Sequence, residues 1–430
     1  MKESVSSEGL FARRRARFFA EIGDDAVALL FAPPERSFGH DTTYRYRPEP
    51  DFTYLTGFAE PDSVALFDGK KRKLILFVRP KDRERETWEG RRAGPKGAVS
   101  LFGADRSYPL AELEKRLAEM IRPAGTLHHG FGLHTEGDRM VIAALSLFRR
   151  EARHVLRGPG RIVDVSSVLH EMRLRKEPEE LEILARSCEI AARAHREAQA
   201  ATRAGRFEYE VEAVLMRRFL AEGASGPSYH PIVASGENAT ILHYVENSRR
   251  IGPKDLVLVD AGCEYQGYAS DITRTFPVSG ELTKPQKRLY SVVLAALKAA
   301  TAKVRAGLPF DGVDRAAKEV LVDGLIDAGL LKGKTNTLLA NKRYERFTLH
   351  RTSHWLGLDV HDRGRYAAPD GSSRALEAGM VLTVEPGLYI RPDEKNVPRE
   401  YLGIGIRIED DVVVTEGDPR VLTEAAPKEA

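Results

Sequence analysis

The sequence predicts two domains in tandem, an α/β unit over residues 1–172 and an α+β unit over residues 173–430. Three observations predict this. Short apolar and β-branched runs alternate with helical periodicities up to about residue 165. A charged junction, EMRLRKEPEE (171–180), follows. Beyond it the order helix, helix, sheet occurs twice, which reads as a pseudo-twofold repeat around a central antiparallel sheet.

In the first domain, AVALLFAP (26–33) and DFTYLTGF (51–58) read as strands. VALF and KLILFVRP flank Asp68-Gly69 as a hairpin. Helical patterns at 110–121 and 138–150 alternate with HHGFGL (128–133) and RIVDV (161–165). A helix starts at Pro178, with acidic residues in its first turn at the positive end of its dipole. Its apolar face is Leu181, Leu184, Cys188, Ala191, Ala194 and Ala198, and Gly205 is its expected stop. A second helix near 208–222 leads to a strand pair at 255–277. Helices near 284–306 and 311–329 lead to strands over 380–415.

The composition is that of a globular chain: 430 residues, 42% hydrophobic and 30% charged, with a formal net charge of only +3. Interleaved charges argue against a dedicated nucleic-acid surface. Two cysteines, Cys188 and Cys263, provide no disulfide framework and fit a reducing cytoplasm. The charged N-terminus lacks a secretory apolar run, and no stretch is long and uncharged enough to span a bilayer. The tail after about residue 423 is polar.

Three clusters carry the chemistry. In VLVDAGCEYQGYASDITRTFP (257–277), two strands with a tip centred between Tyr265 and Gln266 set Asp260 opposite Asp271, within a residue of register. Facing carboxylates repel unless a cation neutralises them. LHRTSHWLGLDVHD (349–362) contains His350, His354 and His361. The zinc-protease helix motif fits poorly, because Arg351 stands where it needs glutamate and Gly357 follows soon after. In the strand pair VLTVEPG (381–387) and GIGIRIEDDVVV (403–414), period two puts Ile404, Ile406 and Ile408 on one face. Gly405, Arg407 and Glu409 share the other, with glycine leaving room beside them. Thr383 and Glu385 share a face, and Pro386-Gly387 ends the strand at Glu385. Read alone, each cluster has an ordinary alternative: a solvated hairpin, polar loop histidines, an amphipathic sheet. Together, four carboxylates and one imidazole can hold two divalent ions, suiting Mn²⁺ and also Co²⁺ or Fe²⁺.

These stretches, with SYHPIVASGENATILHYVEN (228–247), TTYRYRPEPDFTYLTGFAEPD (42–62) and ETWEGRR (86–92), resemble the pita-bread metallopeptidases and, among them, the aminopeptidase P family. The resemblance spans nearly the whole chain and implies a curved central sheet. It implies that Asp260 chelates one ion, that Asp271 and Glu409 bridge two, and that His354 and Glu385 complete the other. It further implies that Glu385 shuttles a proton, that His243 and His361 flank the scissile bond, and that His350 lines the pocket. Arg407 and Thr273 would support the ligands. Arg351 and Thr352 depart from the small or apolar residues usual there, which bears on the pocket wall. Cys263 reads as a buried thiol. Trp88 is either a core residue or an aromatic lip on a neighbouring subunit's site.

The implied reaction is removal of the first residue from Xaa-Pro-Yaa peptides. Prolidase, methionine aminopeptidase and a metal-free binding module are the alternatives. Zn²⁺ could replace Mn²⁺, and a homodimer or homotetramer without nucleic-acid or membrane partners is expected.

Overall fold

The computed structural model describes residues 7–151 and 158–428. The first six residues of the charged N-terminus and the last two of the polar tail lie outside them. The chain divides into two compact units, Met1–Met172 and Arg173–Ala430.

The first unit is built on a six-stranded mixed sheet. Ala26–Ala32 is flanked by the antiparallel strand Ser63–Asp68 and the parallel strand Thr126–His129. Ser63–Asp68 pairs in a hairpin with Lys73–Val78, as the Asp-Gly turn predicts. On one face of these strands Val27, Leu29, Val64, Leu66, Ile75 and Phe77 form one core with Leu113, Leu117, Val141 and Phe148 of the covering helices. Three expectations are corrected here. Residues 51–58 are not a strand: Pro50–Thr56 is a helix, capped by the Glu49 side chain on the Phe52 N–H and stopped by Gly57 at φ +65°. Proline in the first turn and glycine past the last are helix punctuation, which outweighs the aromatic content of the run. The strand at 128–133 ends at His129. Trp88 is no core residue, being 85% exposed on the helix Arg83–Glu89.

In the second unit, Pro178–Ala201 and Glu208–Ala221 precede the antiparallel strands Ile232–Ser235, Leu256–Asp260 and Thr273–Pro277. Lys284–Thr301 and Asp311–Asp327 precede the pair formed by residues 381–390 and 404–413. The first helix has Pro178 at its start and buries Leu184, Cys188, Ala191, Ala194 and Ala198, with Leu181 half-buried. It ends at Ala201, before Gly205. Both faces of the strands are covered, so Ile404, Ile406 and Ile408 enter the larger core while the opposite face lines the site. Among the described residues no helix is long and apolar enough to cross a membrane.

Candidate metal centre

The aspartate hairpin differs in register from the prediction. Its tip is Gln266-Gly267, both at positive φ (+51° and +85°), the conformation a two-residue hairpin turn needs. Asp260 therefore pairs with Thr273, and Asp271 lies two residues away along the same edge. Gly262 permits the crossing there, since a Cβ would sit 1.6 Å from the Ser270 carbonyl oxygen. The two carboxylates still meet, through Tyr229: its hydroxyl lies 2.5 Å from Asp260 Oδ1 and 2.5 Å from Asp271 Oδ1. One phenolic proton cannot serve both carboxylates at once. Burial and both aspartates push the Tyr229 phenol well up.

The two glutamates come from a break in a long strand pair. Val381–Val384 pairs with Asp410–Val413, and Gly387–Ile390 pairs with Ile404–Arg407. Continued through the gap, that single register sets Glu385 opposite Glu409. The strand thus ends at Val384 and resumes at Gly387, rather than stopping at Glu385. Freed from pairing with each other, the Glu385 and Glu409 N–H groups donate to the carbonyls of Thr352 and Thr273. The room expected beside Gly405 is taken up, because a Cβ there would lie 2.0 Å from the Ala239 carbonyl oxygen.

His354 stands on an irregular segment held by its neighbours. Its N–H donates to Thr383 Oγ1, and its ring Nδ1 lies 3.0 Å from the Trp355 carbonyl oxygen. With Nδ1 committed to that carbonyl, Nε2 faces Asp271 Oδ2 at 3.4 Å and Glu385 Oε1 at 3.6 Å; it carries a proton in the metal-free protein, and loss of that proton would free its lone pair for a cation. Asp271, His354 and Glu409 each offer a ligand atom, all within 4.8 Å of one another. All five predicted ligands, with His243, His350, His361 and Arg407, line one cavity of about 770 Å³.

Charge crowding shows in the acidities. Burial, reinforced by neighbouring carboxylates, holds Glu409 well above the usual range. Burial pushes Glu385 up to about 7 against the pull of His354 and Arg407. Asp271 is raised by burial and Asp260, against hydrogen bonds from His354 and Tyr229. Burial lowers the His354 imidazole, but the Asp271 hydrogen bond and the Glu385 charge outweigh it and raise it to about 9. Burial and Arg407 depress His350 to about 4. His361 is lowered by burial and by His354, whose ring centroid lies 4.4 Å from its own.

Around this centre lies a supporting layer. Arg407 donates to Asp260 Oδ2 at 2.5 Å, Thr273 Oγ1 at 3.1 Å and the Tyr389 hydroxyl at 2.8 Å. Thr273 donates to Glu409 Oε2 at 2.6 Å. Tyr389 also lies 2.7 Å from His350 Nε2. Three of these participants were not singled out from sequence: Tyr229, Tyr389 and Asp411, whose Oδ2 accepts the Asp271 N–H at 2.9 Å. The Asp410-Asp411 pair following Glu409 was the available signal for the last. Thr352 is buried and bonds Asp314, and Cys263 is a buried free thiol.

Comparison with known proteins matches this geometry to a family. Residues 182–416 match Metallopeptidase family M24, and residues 11–128 match the N-terminal domain of aminopeptidase P. The Xaa-Pro aminopeptidase of Escherichia coli (strain K12) is 44% identical, over 97% of this chain and 95% of that protein. The solved aminopeptidase PepP of Pseudomonas aeruginosa superposes with a TM-score of 0.95 at 41% identity, covering 98% of this chain and 96% of that one. Zinc-substituted E. coli aminopeptidase P in complex with product gives a TM-score of 0.95 at 43% identity, covering 99% of this chain and 97% of that one. The predicted α/β domain followed by a pita-bread domain is the observed fold, and the chain belongs to Metallopeptidase family M24.

Proposed function

We propose that this protein releases the first residue from peptides with proline second, using two divalent ions, preferentially Mn²⁺. Asp260, Asp271, His354, Glu385 and Glu409 would hold the ions between them. The donor set fits: it is oxygen-rich with one nitrogen, and its carboxylates crowd together with too little positive charge. The observation carrying the reading is that Asp271, His354 and Glu409 converge within 4.8 Å while the Nδ1 of His354 is committed to a carbonyl. Bound ions supply Lewis-acid polarisation and a nucleophile at neutral pH.

The protein's own groups do the rest. Glu385, set between His350 and His354 on the cavity wall, would carry a proton to the departing proline nitrogen. That nitrogen belongs to a tertiary amide without an N–H, so the ring must be recognised by shape. His350, held by Tyr389, lines the wall for it. His243 and His361 flank the scissile carbonyl and donate to its developing oxyanion; His361, lowered from its ordinary value, is a neutral N–H donor. Arg407 and Thr273 hold the ligands in place.

Relatives named Xaa-Pro aminopeptidase weigh against the prolidase alternative. The two free, buried thiols support a cytoplasmic location, and exposed Trp88 supports a homo-oligomer in which it reaches a neighbouring site. Matched Xaa-Pro and Xaa-Pro-Yaa peptides, with and without Mn²⁺, test the reading. Mn²⁺-dependent cleavage of the longer peptide is expected, and intact peptides at saturating Mn²⁺ would overturn it.

A further inference from the structure

The cavity wall carries two arginines, and only one is committed. Arg407 is buried, and Asp260, Thr273 and Tyr389 accept its hydrogen bonds. Arg351 is exposed, and among the described residues no hydrogen bond or ion pair holds its guanidinium. Its backbone is pinned on both sides. The Arg351 carbonyl lies 2.8 Å from His350 Nδ1, and Thr352 donates through its N–H and Oγ1 to Asp314 at 3.2 and 3.1 Å. The Thr352 carbonyl in turn accepts the Glu385 N–H at 2.8 Å. The side chain is free while its root is fixed.

Arg351 also stands on a ridge. A second cavity of about 750 Å³ adjoins the first and shares with it His350, Arg351, Ser353 and Tyr366. An aminopeptidase draws the positive amino terminus of its substrate toward the carboxylates, so the rest of the peptide leads outward to the mouth. Two residues beyond the scissile carbonyl span about 7 Å when extended. The His350 ring is 3.4 Å from Glu385, and the next Cα along the chain is that of Arg351. An extended peptide therefore ends within reach of this guanidinium. A carboxylate arriving there would otherwise meet the field of four acids, three of them buried.

We propose that Arg351 determines specificity by binding a carboxylate on the residue after proline, either the C-terminal carboxylate of a tripeptide or an acidic side chain. The inference rests on the hydrolase reading above. It explains why an arginine can occupy a wall position where small or apolar residues were expected: it adds recognition without touching the ligand set.

The test compares kcat and KM for Ala-Pro-Ala and its C-terminal amide, and for Ala-Pro-Glu-amide against Ala-Pro-Gln-amide, all with Mn²⁺. Arg351→Gln should raise KM for the free acid and the glutamate peptide by about 2–5-fold, the upper range of an accessible Arg–carboxylate pair, with kcat and the neutral peptides unchanged. Arg351→Lys should restore part of the loss. Raising ionic strength should shrink the wild-type preference for carboxylates. If only the free acid responds, the terminal carboxylate is the group read; if only the glutamate peptide responds, it is the side chain. Equal changes on charged and neutral peptides, or none on either, would overturn the proposal. Wild-type protein that cleaves none of the four peptides would overturn the hydrolase reading itself.

Discussion

Around Asp362 two carboxylates meet two buried cations, since Arg173 also pairs with Asp359 at 2.9 Å, whereas in the neighbouring cavity four carboxylates meet one buried arginine and one imidazole. Arg173 Nη2 lies 2.5 Å from Asp362 Oδ1 and Lys176 Nζ 3.0 Å from its Oδ2. Burial would raise the Asp362 carboxyl, but Lys176 and Arg173 outweigh it and hold it below the usual range. In the cavity, burial and mutual repulsion win, and Asp271, Glu385 and Glu409 all rise. The first cluster is complete as folded and anchors the loop that carries His361. The second is short of positive charge, which an external cation can supply.

The largest effect that sharpens this comparison is at the balanced cluster. Asp362→Asn leaves Lys176 buried opposite a neutral amide, while Arg173 keeps Asp359, and should cost about 3–5 kcal/mol in urea unfolding at pH 7. A loss under about 1 kcal/mol would mean that charge balance does not hold this cluster. Glu409→Gln should instead leave the protein folded and lower kcat/KM with metal by more than about 100-fold, since even residues behind a ligand cost about 10–100-fold. Retention of wild-type kcat/KM would remove Glu409 from the centre. Tyr229→Phe takes away the hydroxyl between the two aspartates, and calorimetric titration should show metal binding weakened by about 10-fold.

The smallest effect is a slope with pH. In metal-free protein the Glu385 value of about 7 lies above its ordinary 4.5, and the His354 value of about 9 above its ordinary 6.5. The folded state then holds extra protons. The Glu385 contribution is full below about 4.5 and lost by about 7; that of His354 is full below about 6.5 and lost by about 9. Metal-free stability should fall from pH 5 to 9 by up to about 1.4 kcal/mol per pH unit for each proton released. Metal binding, which needs both groups deprotonated, should strengthen over the same range. Asp362, shifted downward, keeps its contribution above its ordinary 3.8 and loses it only as pH falls below that toward the lowered value. Equal slopes with and without metal would break the contrast between the clusters.

The short-range parts of this account were legible in the chain. Period two separated Ile404, Ile406 and Ile408 from Arg407 and Glu409, because sheet parity survives any register. The hairpin register was not legible to the residue. The choice of Gln266-Gly267 as the tip depends on a positive φ that Gln266 adopts only in the folded turn, and it moved Asp271 two positions from Asp260. The helix Pro50–Thr56 was hidden by its aromatic residues, although Glu49 and Gly57 mark both its ends. Tyr229 and Asp411 lie 31 to 140 residues from the aspartates they touch. No local pattern encodes such a contact.

The central claim is that the cavity is built with a deficit of positive charge. Thermal unfolding of wild type and Glu409→Gln, each metal-free and each saturated with Mn²⁺ at pH 7.5, tests it most directly. The account predicts that the variant melts above wild type without metal, because one repelling carboxylate is gone, and below it with Mn²⁺. A variant that melts below wild type in both conditions would contradict it.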